Sequence, residues 1–189
     1  MKSQLSVYLL CTINPSHAVC ACVTCYTQSG DSGVAFKNCK RLLSTQELRQ
    51  KMAACDGTLV CRAAESASIL GVICYDISLK RHSDRDGVER VATADSSAEF
   101  ERRLHFGPFG VLPRAQGRGV GKALLARVYE LARAQQCRWV DIEVVNHRTD
   151  SLSMYERLGY HRIGTADFPA PERCTRPSHF ILLRKELAP

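Results

Sequence analysis

The sequence predicts one α/β domain built on a twisted, mixed sheet flanked by helices. Three observations predict it. An apolar strand ending at Val111 runs into a glycine-rich turn and then an amphipathic helix. A second strand, Trp139–Val145, follows that helix. A strand–helix–strand unit closes as a right-handed crossover, so these two strands are expected to be parallel. The length, 189 residues with 45% apolar side chains, suits one domain with a full core.

The remaining elements follow in order. Residues 1–35 form an atypical opening, and 36–189 the domain proper. Leu5–Leu10 and Ala18–Tyr26 read as short strands, and Gly30-Asp31-Ser32-Gly33 as a turn. Residues 45–54 read as a helix with Ser44 or Thr45 to cap it and Glu47 in its first turn. Thr58–Ala63 and Ile69–Ser78, rich in Val, Ile, Leu and Cys, read as a hairpin in the sheet centre. Residues 79–99 are polar and turn-rich and read as a surface loop. Arg102–Val111 reads as a strand, but Gly107, Pro108 and Gly110 are poor ladder residues and imply a bulge or an unpaired edge.

The helix after the turn carries Val120, Leu124, Val128 and Leu131 on one face. Along Trp139–Val145, Val140, Ile142 and Val144 alternate with Trp139, Asp141 and Glu143. Thr149 or Asp150 is placed to cap a further helix over Ser151–Leu158, which Gly159 ends. Tyr160–Gly164 and Ser178–Leu187 read as strands around a Pro-rich loop at 165–177.

Composition narrows the function. The formal charge of +7 permits anionic ligands without choosing one. Zinc-finger spacing, aromatic RNA-binding motifs and long basic runs are all missing, so nothing beyond charge speaks for nucleic acid. No stretch reaches the ~18–20 apolar residues of a membrane span, so no membrane partner is expected. The ten cysteines lack a regular spacing and fall largely in apolar runs, where a free thiol acts as a small hydrophobe. They are expected to be thiols in a reducing, cytoplasmic setting. Cys20, Cys22 and Cys25 beside His17 lack a second ligand pair, so no metal is expected. A homodimer is compatible with the sequence.

The turn itself carries the chemistry. Gln116-Gly117-Arg118-Gly119-Val120-Gly121 has three glycines, no acidic side chain, and Arg114, Arg118 and Lys122 about it. A helix that starts there directs its unpaired N–H groups and positive dipole end at the loop, a setting for phosphate or pyrophosphate. The P-loop pattern fails, because no Lys-Ser/Thr follows the last glycine. The dinucleotide pattern fails too, because the glycines run Gly-x-Gly-x-Gly.

The segment resembles motif A of the GCN5-related N-acetyltransferase (GNAT) superfamily, Val-x-Pro-x-x-(Gln/Arg)-x-x-Gly-x-(Gly/Ala), filled by Val111, Pro113, Gln116, Gly119 and Gly121. Asn146 through Tyr160 resembles motif B, with Tyr155, Gly159 and Tyr160 in place. Asn146 sits two residues further from the tyrosine than the commonest spacing, similar to a branch carrying Val-Asn-x-Arg ahead of (Phe/Met)-Tyr. The family's opening strand and acidic helix are not legible in the first 30 residues.

The resemblance implies the acyl-CoA N-acyltransferase fold with a splayed parallel strand pair, and acetyl-coenzyme A as cosubstrate without a metal. The reaction implied is direct acetyl transfer to an amine of a small-molecule or protein acceptor. Backbone amides of Gln116, Gly117, Arg118, Gly119, Val120 and Gly121 would hold the pyrophosphate, with Lys122 and Asn146 also on the cofactor side. N–H groups of Phe109 or Val111 would meet the thioester carbonyl, and Tyr155 would be the acid near the sulfur. The base stays open: His105 has a suitable acidity, and Glu101, Glu143 and Asp141 are further candidates. A coenzyme A-binding module without turnover is the alternative reading. Specificity is expected in 30–56, 79–100 and 165–178.

Overall fold

The computed structural model of the chain describes residues 5–9, 45–63, 68–81, 100–169, 171–174 and 176–187. Their strands are β1 (Leu5–Leu9), β2 (Gly57–Ala63), β3 (Ile69–Arg81), β4 (Phe100–Val111), β5 (Trp139–Val145), β6 (His161–Asp167) and β7 (His179–Glu186). They form one sheet in the order β1-β2-β3-β4-β5-β7-β6. Every neighbouring pair is antiparallel except β4 and β5, which are parallel. The helices are α1 (Thr45–Ala54), α2 (Val120–Ala134) and α3 (Thr149–Arg157).

The crossover is as expected. α2 begins after Gly119, whose carbonyl accepts the first intrahelical bond from Ala123 N–H at 2.9 Å. It buries Val120, Leu124, Leu125, Val128 and Ala132. These pack with Leu59, Ile73, Leu104, Phe106 and Val140 into one core. Gly71 on β3 makes the close approach possible: a Cβ there would lie 2.9 Å from Val120 Cγ1 and 3.0 Å from the Gly110 carbonyl oxygen.

The expected bulge is present, and the edge-strand alternative is not. β4 is the middle strand. Ile73 pairs with Phe109 and Tyr75 with Phe106, so Gly107 and Pro108 together oppose Cys74. Two residues against one is a bulge, and it bends the strand.

Several boundaries shift. The hairpin β2–β3 lies to one side of the sheet rather than at its centre. Leu79, Lys80 and Arg81 continue β3 instead of opening a loop, because they pair with Arg102, Glu101 and Phe100; residues 82–99 lie outside the described ones. Thr165–Asp167 extends β6 into the expected Pro-rich loop by pairing with His179–Ile181. Neither Thr149 nor Asp150 caps α3. The first turn closes one residue earlier, with Leu152 N–H bonded to Arg148 O at 2.9 Å, so Arg148 takes the cap position without a side-chain bond. The strand expected at Leu5–Leu10 is β1, antiparallel to β2 in the same sheet. The strand expected at Ala18–Tyr26 and the turn at Gly30–Gly33 lie outside the described residues.

Candidate active site

β4 and β5 pair only through Arg103–Trp139, Leu104–Val140 and His105–Asp141. Beyond His105 the bulge turns β4 away and the two strands part. The direction of the freed backbone groups can be read from one bond. Leu112 N–H donates to Leu70 O on β3 at 2.9 Å. Backbone groups alternate sides along a strand, so Phe109 and Val111 aim their N–H and C=O groups away from β3, into the gap. The Val111 carbonyl confirms that sense, accepting from Gln116 Nε2 at 3.3 Å.

The loop between β4 and α2 continues the same wall. Gly117 and Gly119 take left-handed φ of +70° and +84°, and a Cβ at either would meet nothing within 4 Å. The backbone is therefore open to a ligand at both points. The first turn of α2 carries no acidic residue, and the N–H groups of Val120, Gly121 and Lys122 precede the first intrahelical bond. This is a cradle for an anion, fitting a pyrophosphate in charge and access. Gln116, Gly117, Arg118, Gly119 and Lys122 are exposed there. Val120 is buried and anchors the turn to the core.

Between the bulge and β5 lies a cavity of about 290 Å³, reached by Gly107, Pro108 and Phe109 from β4 and by Ile142 to Val145 from β5. α3 contributes Ser151 and Tyr155, with Arg148 at its cap. Tyr155 is 4% exposed. Its ring sits 6.1 Å from Phe106 and 5.4 Å from Tyr160, centroid to centroid. Burial pushes the phenol's pKa up, the nearby Tyr129 adds to that, and the Arg148 charge opposes it.

The four candidate bases separate. His105 lines this cavity and a second one of about 610 Å³ on the opposite, polar face of the sheet. Its Nε2 is buried without a hydrogen bond. Burial lowers its pKa, against the carboxylates of Glu143, Asp141 and Asp76. Glu143 is exposed and lines both cavities. Asp141 is taken by Arg184, which donates to it through Nε and Nη2 at 2.8 Å each. Glu101 accepts from Trp139 Nε1 and Arg138 Nη1 at 2.7 Å, outside both cavities.

Asn146 is not brought to the cavity wall. Its N–H donates to His179 O at 3.0 Å, and its Oδ1 accepts from His179 N–H at 3.3 Å. That ties the end of β5 to β7. The residue at the commonest motif spacing before Tyr155 is instead Arg148, and it lines the cavity. Lys51 of α1 and the pair Phe168 and Phe180, 5.1 Å apart, line it too. The sequence showed Arg148 only as the arginine of the Val-Asn-x-Arg pattern, with no role attached to it. Lys51 and Phe168 fall in the stretches 30–56 and 165–178 expected to carry specificity, though neither residue was singled out there, and nothing marked Phe180; the fold gathers all three from distant segments. Among the described residues no cluster of three or more His, Cys, Asp or Glu is placed to hold a metal ion.

A cradle at a helix start, a bulged central strand and a parted parallel pair define an acyl-coenzyme A-dependent N-acyltransferase. Residues 35–160 match the model of the acetyltransferase (GNAT) family, and the chain belongs to that family. Solved structures carry the same fold. The GCN5-related N-acetyltransferase from Kribbella flavida superposes with a TM-score of 0.61 at 18% identity, over 97% of this chain and 98% of that one. NAA60 from Arabidopsis thaliana in complex with acetyl-CoA superposes at 0.64 and 15% identity, over 97% and 99%. Its complex with a bisubstrate analogue gives 0.65 at 15%, over 98% and 100%. The protein is an acetyl-CoA-dependent N-acetyltransferase acting on an amine acceptor.

Proposed function

We propose that the acceptor amine enters the 290 Å³ cavity between the β4 bulge and β5 and meets the thioester there. The observation that carries this reading is the parting of β4 and β5 beyond His105, which leaves the Phe109 and Val111 N–H groups without a β5 partner. Acetyl-coenzyme A supplies an activated acetyl group. The amides from Gly117 to Lys122 hold its pyrophosphate, while Gln116 closes the turn, its N–H donating to Pro113 O at 3.2 Å and its Nε2 to Val111 O at 3.3 Å. Phe109 and Val111 N–H donate to the carbonyl oxygen as it gains charge; such donors contribute about 3–4 kcal/mol each in comparable sites. His105, kept neutral by burial, accepts the amine's proton directly or through a water near Glu143. Tyr155 faces the sulfur side. Asn146 supports the site by fixing the end of β5.

The acceptor amine reaches this cavity on a slender arm, whether a small molecule or a protein N-terminus, because Phe168, Pro169 and Phe180 close one side of it. A cytoplasmic setting belongs to the same proposal. Its support is the thiol state of Cys61, Cys74 and Cys137, which are buried as small apolar groups.

Thermal unfolding with and without acetyl-coenzyme A tests the cradle. Ligand at 100 times Kd adds about 2.7 kcal/mol to the stability of wild type. Gly119→Glu places a carboxylate in the loop and is expected to lose the shift. A shift of equal size in both proteins would remove the cofactor from this loop. Thiol release with an amine panel then separates an enzyme from a binder that gives affinity alone.

A further inference from the structure

With acetyl-coenzyme A as the donor, as the preceding reading has it, we propose that Arg148 is a catalytic residue of this chain: its guanidinium stabilises the departing thiolate by charge, while Tyr155 gives the sulfur a hydrogen bond and keeps its proton.

The geometry comes from α3. Arg148 is the residue at the N-cap of α3, and Ser151 and Tyr155 follow one turn apart on the helix it opens. All three line the cavity under the β4 bulge. Helical side chains lean towards the N-terminus, so the Tyr155 ring lies back over the turn that Arg148 opens. Phe106 and Tyr160 hold the ring there. The Arg148 charge is felt at the phenol.

The chemistry then divides the work. An ordinary phenol has a pKa of about 10 and an alkyl thiol about 8.5. Handing a proton from the phenol to the thiolate is therefore uphill by roughly 30-fold. Burial and Tyr129 make the Tyr155 phenol weaker still. When the amine nitrogen bonds to the carbonyl carbon and the C–S bond breaks, the electron pair stays on sulfur. The amine's proton goes to the base, and the thiolate gains its proton later from water. Until then a negative charge sits in a half-buried cleft.

Besides Tyr155, the charged and titratable groups on the described wall are Lys51 of α1, His105 of β4, Glu143 of β5 and Arg148. Glu143 opposes a thiolate. His105 is held towards its neutral form. Lys51 reaches the wall from α1, whereas Arg148 caps the helix that carries Tyr155, the motif B residue placed on the leaving-group side. Arg148 is thus the cation on the sulfur side.

Coenzyme A itself, labelled with carbon-13 at the thiol-bearing methylene, tests this without any acceptor. Its thiol is titrated by NMR while bound at saturation to wild type, Arg148→Gln, Arg148→Lys and Tyr155→Phe. Opposite charges nearby move such a pKa by about 1–3 units. Wild type and Arg148→Lys are expected to favour the thiolate at least ~10-fold over free coenzyme A. Arg148→Gln is expected to lose most of that, although the Gln116–Lys122 loop still binds the pyrophosphate. Tyr155→Phe is expected to lose a smaller part. Equal titration of the bound thiol in wild type and Arg148→Gln overturns the proposal. No binding of coenzyme A to folded wild type sinks the donor reading itself, a separate result that takes this one with it.

Discussion

His105 occupies the point where the last β4–β5 pair gives way to the gap and lines the cavities of about 290 and 610 Å³, the position in which the proposed function uses it as the base. Its pKa is lowered by burial, and Glu143 is the strongest of the carboxylates that oppose the shift. The sign of the pH dependence follows. The base works when neutral, so kcat/KM falls as pH drops through the His105 pKa, and that limb lies below the ordinary value of about 6.5. Glu143→Gln removes the leading opposing charge and is expected to move the limb to still lower pH. His105→Gln is expected to erase the limb and cost roughly 10²–10⁴ in kcat/KM. A pH profile of the three proteins with one amine decides it; an unchanged limb in His105→Gln would give the base role to another group.

At the scale of the element, α2 meets the sheet and the cofactor loop through different glycines, and their substitutions separate stability from binding. Gly71→Ala forces a methyl to within 2.9 Å of Val120, 3.0 Å of the Gly110 carbonyl and 3.1 Å of Leu124. Overpacking of that kind costs about 1–3 kcal/mol, with the backbone oxygen unable to give way. Gly121→Ala meets Phe109 Cζ at 3.4 Å and Val111 Cγ2 at 3.8 Å, which is ordinary contact. Ala is the better helix former by about 1 kcal/mol, and motif A accepts it at this position. Urea unfolding is therefore expected to show a lower midpoint for Gly71→Ala and an equal or higher one for Gly121→Ala, with acetyl-coenzyme A binding kept in the latter.

The contrast also marks what the sequence can carry. Gly119 and Gly121 belong to a contiguous pattern whose physics is local: a left-handed turn, then a helix start. The bulge was legible for the same reason, since Gly107 and Pro108 interrupt an apolar run. Gly71 looks like any glycine in a β-rich stretch until α2 lies across it. Arg148 was legible only as the arginine of the Val-Asn-x-Arg pattern. Lys51 and Phe168 were legible only as members of the stretches 30–56 and 165–178, because the packing that brings them and Phe180 to the cavity is tertiary. β3 ran past its expected end because charged Lys80 and Arg81 read as loop, although they pair with Glu101 and Phe100.

Across the whole molecule, parting β4 from β5 gives up ladder bonds in the middle of the sheet, and side chains beneath the gap tie β5 to β4 on one side and to β7 on the other. Trp139 Nε1 donates to Glu101 across the β4–β5 pair at 2.7 Å, and Arg184 of β7 grips Asp141 of β5 through two bonds of 2.8 Å. The Arg138 and Arg184 guanidinium carbons lie 4.8 and 5.5 Å from the Trp139 ring centroid, so two cations rest against the indole. Arg184 is 5% exposed, so an unpaired charge there would be expensive. Asp141→Ala is expected to lose about 3 kcal/mol, at the lower end for a broken buried pair because the Asp141 carboxylate is partly exposed. The paired replacement Asp141→Leu with Arg184→Met removes both charges and is expected to recover most of that stability. If the network also sets the width of the gap, the double variant will fold well yet bind acetyl-coenzyme A more weakly than wild type. Calorimetric unfolding together with coenzyme titration of the same protein separates the two effects, and full affinity in the stable double variant would leave the β4 bulge alone as the feature that holds the strands apart.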